Sequence, residues 1–266
     1  MKSVSCSGPG RINSDQAVFL WERELAVTGT IELVLQTDKD CAGIVWAQAC
    51  HDWLLQKSGR SKRISSEVLY TGSRSIIGKN SRNDPGCYLS WVMRFIVHHG
   101  VVVRELLPPF DLREYNPAFI KEFSRQPLPL LITERLQPLH KVFAFELPEP
   151  KIGQVKSLED VWKVVGMGFS LPFVCQSGFA LQRDEEGICL PYSRWDHAML
   201  IRGRCFTRSG QRCFVVQNSI GDYLGDINSM ITLLDGRQVK LPAGFFLVPY
   251  QVFSGVVRLS DVFVIC

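Results

Sequence analysis

No apolar run in this 266-residue chain approaches the roughly 20 residues that a membrane span requires, so no transmembrane helix is expected. The opening residues, Met-Lys-Ser-Val-Ser-Cys-Ser-Gly-Pro-Gly, lack the apolar centre of a secretory leader, which makes a cytoplasmic protein the expectation. An excess of one charge is missing too. The net charge is +4, too small to mandate nucleic-acid or membrane binding, and neither partner is expected. Nine cysteines occur but no CxxC pair, which argues against a zinc site of ordinary spacing; no metal or cofactor is expected. Without export, most of these cysteines read as reduced, small apolar core residues. Internal repeats and low-complexity tracts are also absent.

What is present is an ordinary globular composition, 46% hydrophobic and 21% charged, with material for one large domain or two small ones. The stretch that organises the chain is Cys41-Ala-Gly-Ile-Val-Trp-Ala-Gln-Ala-Cys-His-Asp-Trp-Leu-Leu55. Its apolar residues are nearly continuous, interrupted by Gln48, His51, Asp52 and Gln56 at spacings of three and four. That pattern predicts a helix buried on most of its circumference, with one narrow polar stripe. Asp38 and Asp40 stand where an N-cap belongs, and Gly59 stands where the helix should stop. The positive end of the helix dipole favours a thiolate at Cys41.

Taken in order, residues 1–16 read as an irregular lead-in and Ala17 to Leu35 as strand or extended chain, with no helical pattern before residue 36 and hence no helical inhibitory propeptide. Lys57 to Arg63 is a basic loop, read either as a phosphate contact or as a solvated turn. Ser65-Ser-Glu-Val-Leu-Tyr70 predicts a capped helix, and Tyr88 to His98 an amphipathic helix closed by Gly100. A loop and helix region follows Pro108-Pro109, as far as about Lys121. Past Pro127, strands are expected at Leu128–Ile132, Val142–Leu147, Leu171–Cys175, Ala198–Arg202, Arg212–Gln217, Phe245–Val248 and Val262–Cys266, with one helix capped by Ser157. The division is therefore a lead-in over 1–35, a helical part over 36–126 and a β-rich part over 127–266. An α+β arrangement with a cleft between the halves follows.

A thiol at a helix start needs a base and a group to orient that base. Of the five histidines, His51 lies ten residues along the helix of Cys41, about 15 Å of rise away. His98 and His99 end a helix, where the dipole favours them for structural reasons alone, and His140 lies in a turn. His197, at the entry to the apolar strand of Trp195-Asp-His-Ala-Met-Leu-Ile-Arg-Gly203, can present a rigid imidazole to the cleft. Asn218 ends the next strand, where its amide can accept the ring N–H and hold one tautomer. The histidine lies 156 positions after Cys41 and the asparagine 21 after that, close to the separation of a papain-type Cys, His, Asn set.

With these segments together, the chain resembles the papain-like cysteine peptidases, especially their bacterial and phage branches. Cys41-Ala-Gly-Ile-Val-Trp-Ala resembles the helix start of that branch, and Asp196-His-Ala-Met-Leu-Ile-Arg-Gly203 its Asn/Asp-His-Ala-Val-Leu-Ile-Val-Gly. Val216-Gln-Asn-Ser-Ile-Gly221 is similar to Lys-Asn-Ser-Trp-Gly, with Ile220 where the family has tryptophan. Gly244-Phe-Phe-Leu-Val-Pro-Tyr250 resembles the closing strands. The resemblance implies a central buried helix in a helical left half, packed against a β-rich, barrel-like right half. It implies Cys41 as nucleophile, His197 as general base and then acid, Asn218 as the group orienting the imidazole, and Gln36 as the oxyanion-hole amide. The implied substrate or partner is a polypeptide, with virion association if the protein is phage-encoded. Gln36 precedes Cys41 by five positions, where the family has six. A second register, Gly43-Ile-Val-Trp46 against the family's Gly-Ser-Cys-Trp, puts Val45 at the nucleophile and yields an inactive structural or binding module.

Overall fold

The computed structural model describes Cys6, residues 16–31, Gln36, and residues 40–78, 86–219 and 227–266, apart from the side chain of Trp195. Along the chain the elements are β1 (Val18–Phe19), α1 (Leu20–Thr28), α2 (Cys41–Ser58), α3 (Ser66–Gly72), α4 (Leu89–His99), β2 (Leu106–Leu107), β3 (Phe110–Asp111), α5 (Pro117–Phe123) and α6 (Leu130–Thr133). They continue as β4 (Ile152–Gln154), α7 (Leu158–Gly166), β5 (Leu171–Phe179), β6 (Pro191–Phe206), β7 (Arg212–Gln217), β8 (Met230–Thr232), β9 (Gln238–Lys240), β10 (Phe245–Pro249), α8 (Tyr250–Val256) and β11 (Val257–Ile265). Helices dominate the first half and one antiparallel sheet the second.

The centre of the fold is α2. It begins at Cys41 and stops at Gly59, whose φ of 67° lets its N–H turn back to Leu55 O. Ala42 through Leu55 are all buried. Trp46, fully enclosed, satisfies its indole N–H on Leu89 O at 3.0 Å, which ties α2 to α4. On the other side α2 lies against β6, so its flanks join the helices to the sheet. The main apolar core runs through Trp46, Val68, Phe95, Phe173 and Phe214, and a smaller one gathers Phe19, Trp21, Val215 and Phe245.

The large sheet has the order β10-β7-β6-β5-β11-β4, with β1 added to β6. Its ends, β10 and β4, are not joined. The expected barrel-like half is thus an open sheet, covered by α7 and α8 rather than closed on itself. The strands anticipated at 171–175, 198–202, 212–217, 245–248 and 262–266 all fall within β5, β6, β7, β10 and β11, except that Cys266 lies just beyond the last.

Other expectations failed for identifiable reasons. Extended chain was expected over 17–35, yet only Val18–Phe19 is strand and Leu20–Thr28 is helix. Leu20, Trp21 and Glu24 form its buried face, and Gly29 closes it with an N–H on Leu25 O. A short helix therefore does precede residue 36, while residues 32–35 lie outside the described residues. Leu128–Ile132 and Val142–Leu147 are not strands: the first enters helix α6 behind Pro129, and the second follows a 3₁₀ turn at Leu139–Lys141 behind Pro138. Their buried residues, Leu128, Ile132, Val142 and Leu147, act as separate anchors for an irregular segment. Seven cysteines are free, but Cys6 and Cys266 form a disulfide that the reduced-cysteine reading did not anticipate.

Candidate active site

Cys41 is the first residue of α2, and the backbone N–H groups of Ala198, Ala42 and Cys41 itself lie near enough to its Sγ to favour the thiolate. The Ala198 contact places the thiol against the strand residue that follows His197. Val45 lies one turn further along, buried in the core. The top of the helix therefore carries a thiol rather than an isopropyl group.

β6 positions His197 and β7 delivers Asn218 one residue past its end. Leu200 pairs with Gln217 across these strands, so the imidazole and the amide meet at one end of the sheet. His197 Nε2 lies 2.9 Å from Asn218 Oδ1 and 3.0 Å from Ser219 Oγ. The Ser219 hydroxyl donates its one proton to Gln36 Oε1 at 2.9 Å, so toward the imidazole it can only accept. Asn218 Oδ1 and Ser219 Oγ thus both face Nε2 as acceptors, which favours the tautomer with its proton on Nε2 and makes Nδ1 the basic nitrogen. Gln36 is doubly pinned, because its backbone N–H also donates to Ser219 O at 3.0 Å. Gln36, His197 and Asn218 are thus gathered around Ser219. That serine was within the quoted motif, but sequence reasoning gave it no role.

The electrostatics differ from the thiolate expected at a helix start. Burial pushes the Cys41 thiol up, and the adjacent Asp40 carboxylate pushes the same way, against the pull of the three N–H donors. Asp40 is itself buried and accepts a hydrogen bond from Tyr115 at 2.9 Å, while its carbonyl receives Ile44 N–H. It stands at the cap position without a capping side-chain bond, and Asp38 lies outside the described residues. Burial pulls the His197 imidazole down, opposed by Asn218. Both shifts favour the neutral forms, a thiol and an imidazole.

The polar stripe of α2 is not solvated. Gln48, His51 and Asp52 are buried with Glu24 of α1 and Arg202 of β6. His51 bonds Ser61 of the basic loop at 2.9 Å, and Arg63 of that loop pairs with Glu24 at 3.0 Å, so part of the loop serves the fold. Ligand atoms of Glu24, His51 and Asp52 lie within 4.8 Å of one another, as around a metal. The Arg202 guanidinium already bonds both carboxylates, however, so a dication there would meet like charge. His98, His99 and His140 line a separate cavity of about 210 Å³, away from His197.

No protein-family model and no curated protein matches the sequence. Solved structures do match. Procathepsin L 3 from the Tenebrio molitor larval midgut superposes with a TM-score of 0.60 at 13% identity, covering 98% of this chain and 72% of that one. Xylellain, a cysteine protease from Xylella fastidiosa, gives 0.56 at 17% identity over 94% of this chain and 85% of its own. The fold is papain-like. ProCathepsin B S9 from Trypanosoma congolense adds a third match, with a TM-score of 0.60 at 10% identity over 98% of this chain and 80% of its own. At these identities the likeness shows the papain-like fold alone. Ile220 and Gly221 of the quoted motif lie outside the described residues.

Proposed function

We propose that the chain is a cysteine peptidase that hydrolyses peptide or isopeptide bonds with Cys41 as nucleophile and His197 as general base. The observation that carries this reading is the pair of acceptors, Asn218 Oδ1 and Ser219 Oγ, at His197 Nε2. They turn the basic Nδ1 toward the chemistry, while Cys41 Sγ is held at the neighbouring Ala198 N–H. As the thiol attacks a substrate carbonyl, its proton passes to His197 Nδ1 and a tetrahedral oxyanion forms. The Cys41 backbone N–H and the Gln36 side-chain amide are the proposed oxyanion donors. The imidazolium then protonates the leaving amine, and water, deprotonated by His197, hydrolyses the thioester. Residues 36–126 and 127–266 are the proposed walls of the cleft. The likeness of the motifs to those of the bacterial and phage branch supports an origin there, and a cytoplasmic or virion location is proposed with it.

The test is labelling with a peptidyl epoxide at neutral pH. Labelling that disappears in Cys41→Ser and persists in Cys50→Ser, together with peptide cleavage that follows the same pattern, is the expected result. The raised thiol favours one rival, an inactive papain-fold module with a structural or binding role. Absence of both labelling and cleavage in the folded protein would establish that rival instead.

A further inference from the structure

Beneath the candidate centre lies an ionic cluster that the proposed chemistry does not use. Arg202 of β6 is fully buried, and each part of its guanidinium is committed. Nη2 lies 2.7 Å from Asp52 Oδ1 and 2.8 Å from Glu24 Oε2. Nε lies 3.0 Å from Asp52 Oδ2, and Nη1 lies 3.2 Å from Gln217 Oε1. Asp52 is on α2, the helix that starts at Cys41. Arg202 is five residues after His197 on the same strand, and Gln217 immediately precedes Asn218. One guanidinium therefore touches the segments that carry all three members of the candidate triad.

Charge neutrality does not require the contact to Gln217. Glu24 and Asp52 together balance Arg202 and the half-buried Arg63, and His51 and Gln48 complete the cluster with hydrogen bonds. Nη1 of Arg202 spends an N–H on the residue from which the Asn218 turn departs. Directly under that turn, a cavity of only about 10 Å³ is lined by Val45, Gln48, Gln217, Asn218 and Ser219, which leaves space for about one water and little slack. A turn seated on so close a support transmits the position of Gln217 to Asn218 and Ser219.

We propose that Arg202 is a positioning residue for the candidate centre: through Gln217 and Asp52 it fixes the Asn218–Ser219 turn and helix α2 relative to His197. The proposal rests on the peptidase reading for its kinetic consequence, but its geometric consequence stands apart from activity. Arg202→Met strands two buried carboxylates and is a poor test, because it risks unfolding. Gln217→Leu is the informative variant. It removes the acceptor at similar volume and leaves the ion cluster intact, while Gln217→Glu keeps an acceptor for Arg202.

The imidazole is read by nitrogen NMR of the folded protein, with the His197 signal assigned by its loss in His197→Ala. Gln217→Leu is expected to convert a single Nε2–H tautomer into a mixture, and Gln217→Glu to restore it. In the peptidase assay, kcat of Gln217→Leu should fall by about tenfold with KM changed less than about twofold. An unchanged His197 tautomer and wild-type kcat in Gln217→Leu would overturn the proposal. If wild-type protein neither labels nor cleaves, the peptidase reading fails alone, and the NMR comparison still decides the positioning role.

Discussion

Cys41 and His197 each sit in surroundings that disfavour their charged forms. Burial and Asp40 push the thiol up, and burial pulls the imidazole down. Both shifts favour the uncharged forms, so in the proposed reaction the proton moves during attack rather than before it. The sign follows: the thiolate becomes the major form only on the alkaline side of the ordinary thiol value of about 8.5. Alkylation of Cys41 by iodoacetamide, followed by mass spectrometry, should therefore rise steadily with pH and reach no plateau below about pH 8.5. A plateau on the acid side would reveal a preformed thiolate–imidazolium pair and contradict this account. Ser219 allows a second prediction at this scale. Ser219→Ala removes one acceptor at His197 Nε2 and the donor that holds Gln36 Oε1. Loss of one or two such bonds, each worth about 1 kcal/mol, should lower kcat/KM about fivefold to thirtyfold with no loss of fold by circular dichroism. That His197 and Asn218 lie together was legible because their order and spacing are properties of the sequence. The role of Ser219 was not, since only the direction of its hydroxyl proton gives it one.

Helix α2 shows how element boundaries and element environments differ in legibility. Its start at Cys41 and stop at Gly59 are local matters of apolar pattern and a left-handed cap. The fate of its polar stripe is not local, because Glu24 comes from α1 and Arg202 from β6. Burial lowers His51 from 6.5 to about 4, against the raising influence of Asp52 and Glu24, so it is neutral in the folded protein. Unfolded chains protonate this histidine near its ordinary value, so the unfolded state binds more protons between the two values and stability rises with pH there. Stability from this group is full above about pH 6.5 and is lost as pH falls toward about 4, a change of about 3 kcal/mol. Urea denaturation from pH 7 to pH 4 should show this slope, and His51→Gln should reduce it. The same reasoning explains the failed strands at 128–132 and 142–147. Short apolar runs bounded by proline satisfy either a strand or a series of isolated anchors, and only the surrounding core selects between them.

At the scale of the whole molecule, the Cys6–Cys266 disulfide joins residues 260 positions apart in sequence. Closing so long a loop restricts the unfolded chain, and such bridges typically contribute about 2–4 kcal/mol. Thermal melting should fall by several degrees in dithiothreitol, whereas Cys6→Ser should start at the lower value and show no further response to reductant. The open order of the sheet likewise belongs to this scale, since strand patterns in the sequence do not say whether the first and last strands meet. The sequence by itself determined the helix of Cys41, the main strands, and the order and separation of Cys41, His197 and Asn218, because periodicity, caps and spacing are properties of the chain. Tertiary structure alone decided that Val45 is buried in the core while Cys41 packs half-buried at its edge, in surroundings that push its thiol up. It also decided that one buried arginine bonds both Gln217 and Asp52 beside the candidate site. Each of these depends on which distant groups desolvate or bond a side chain, and those groups become neighbours only when the chain has folded.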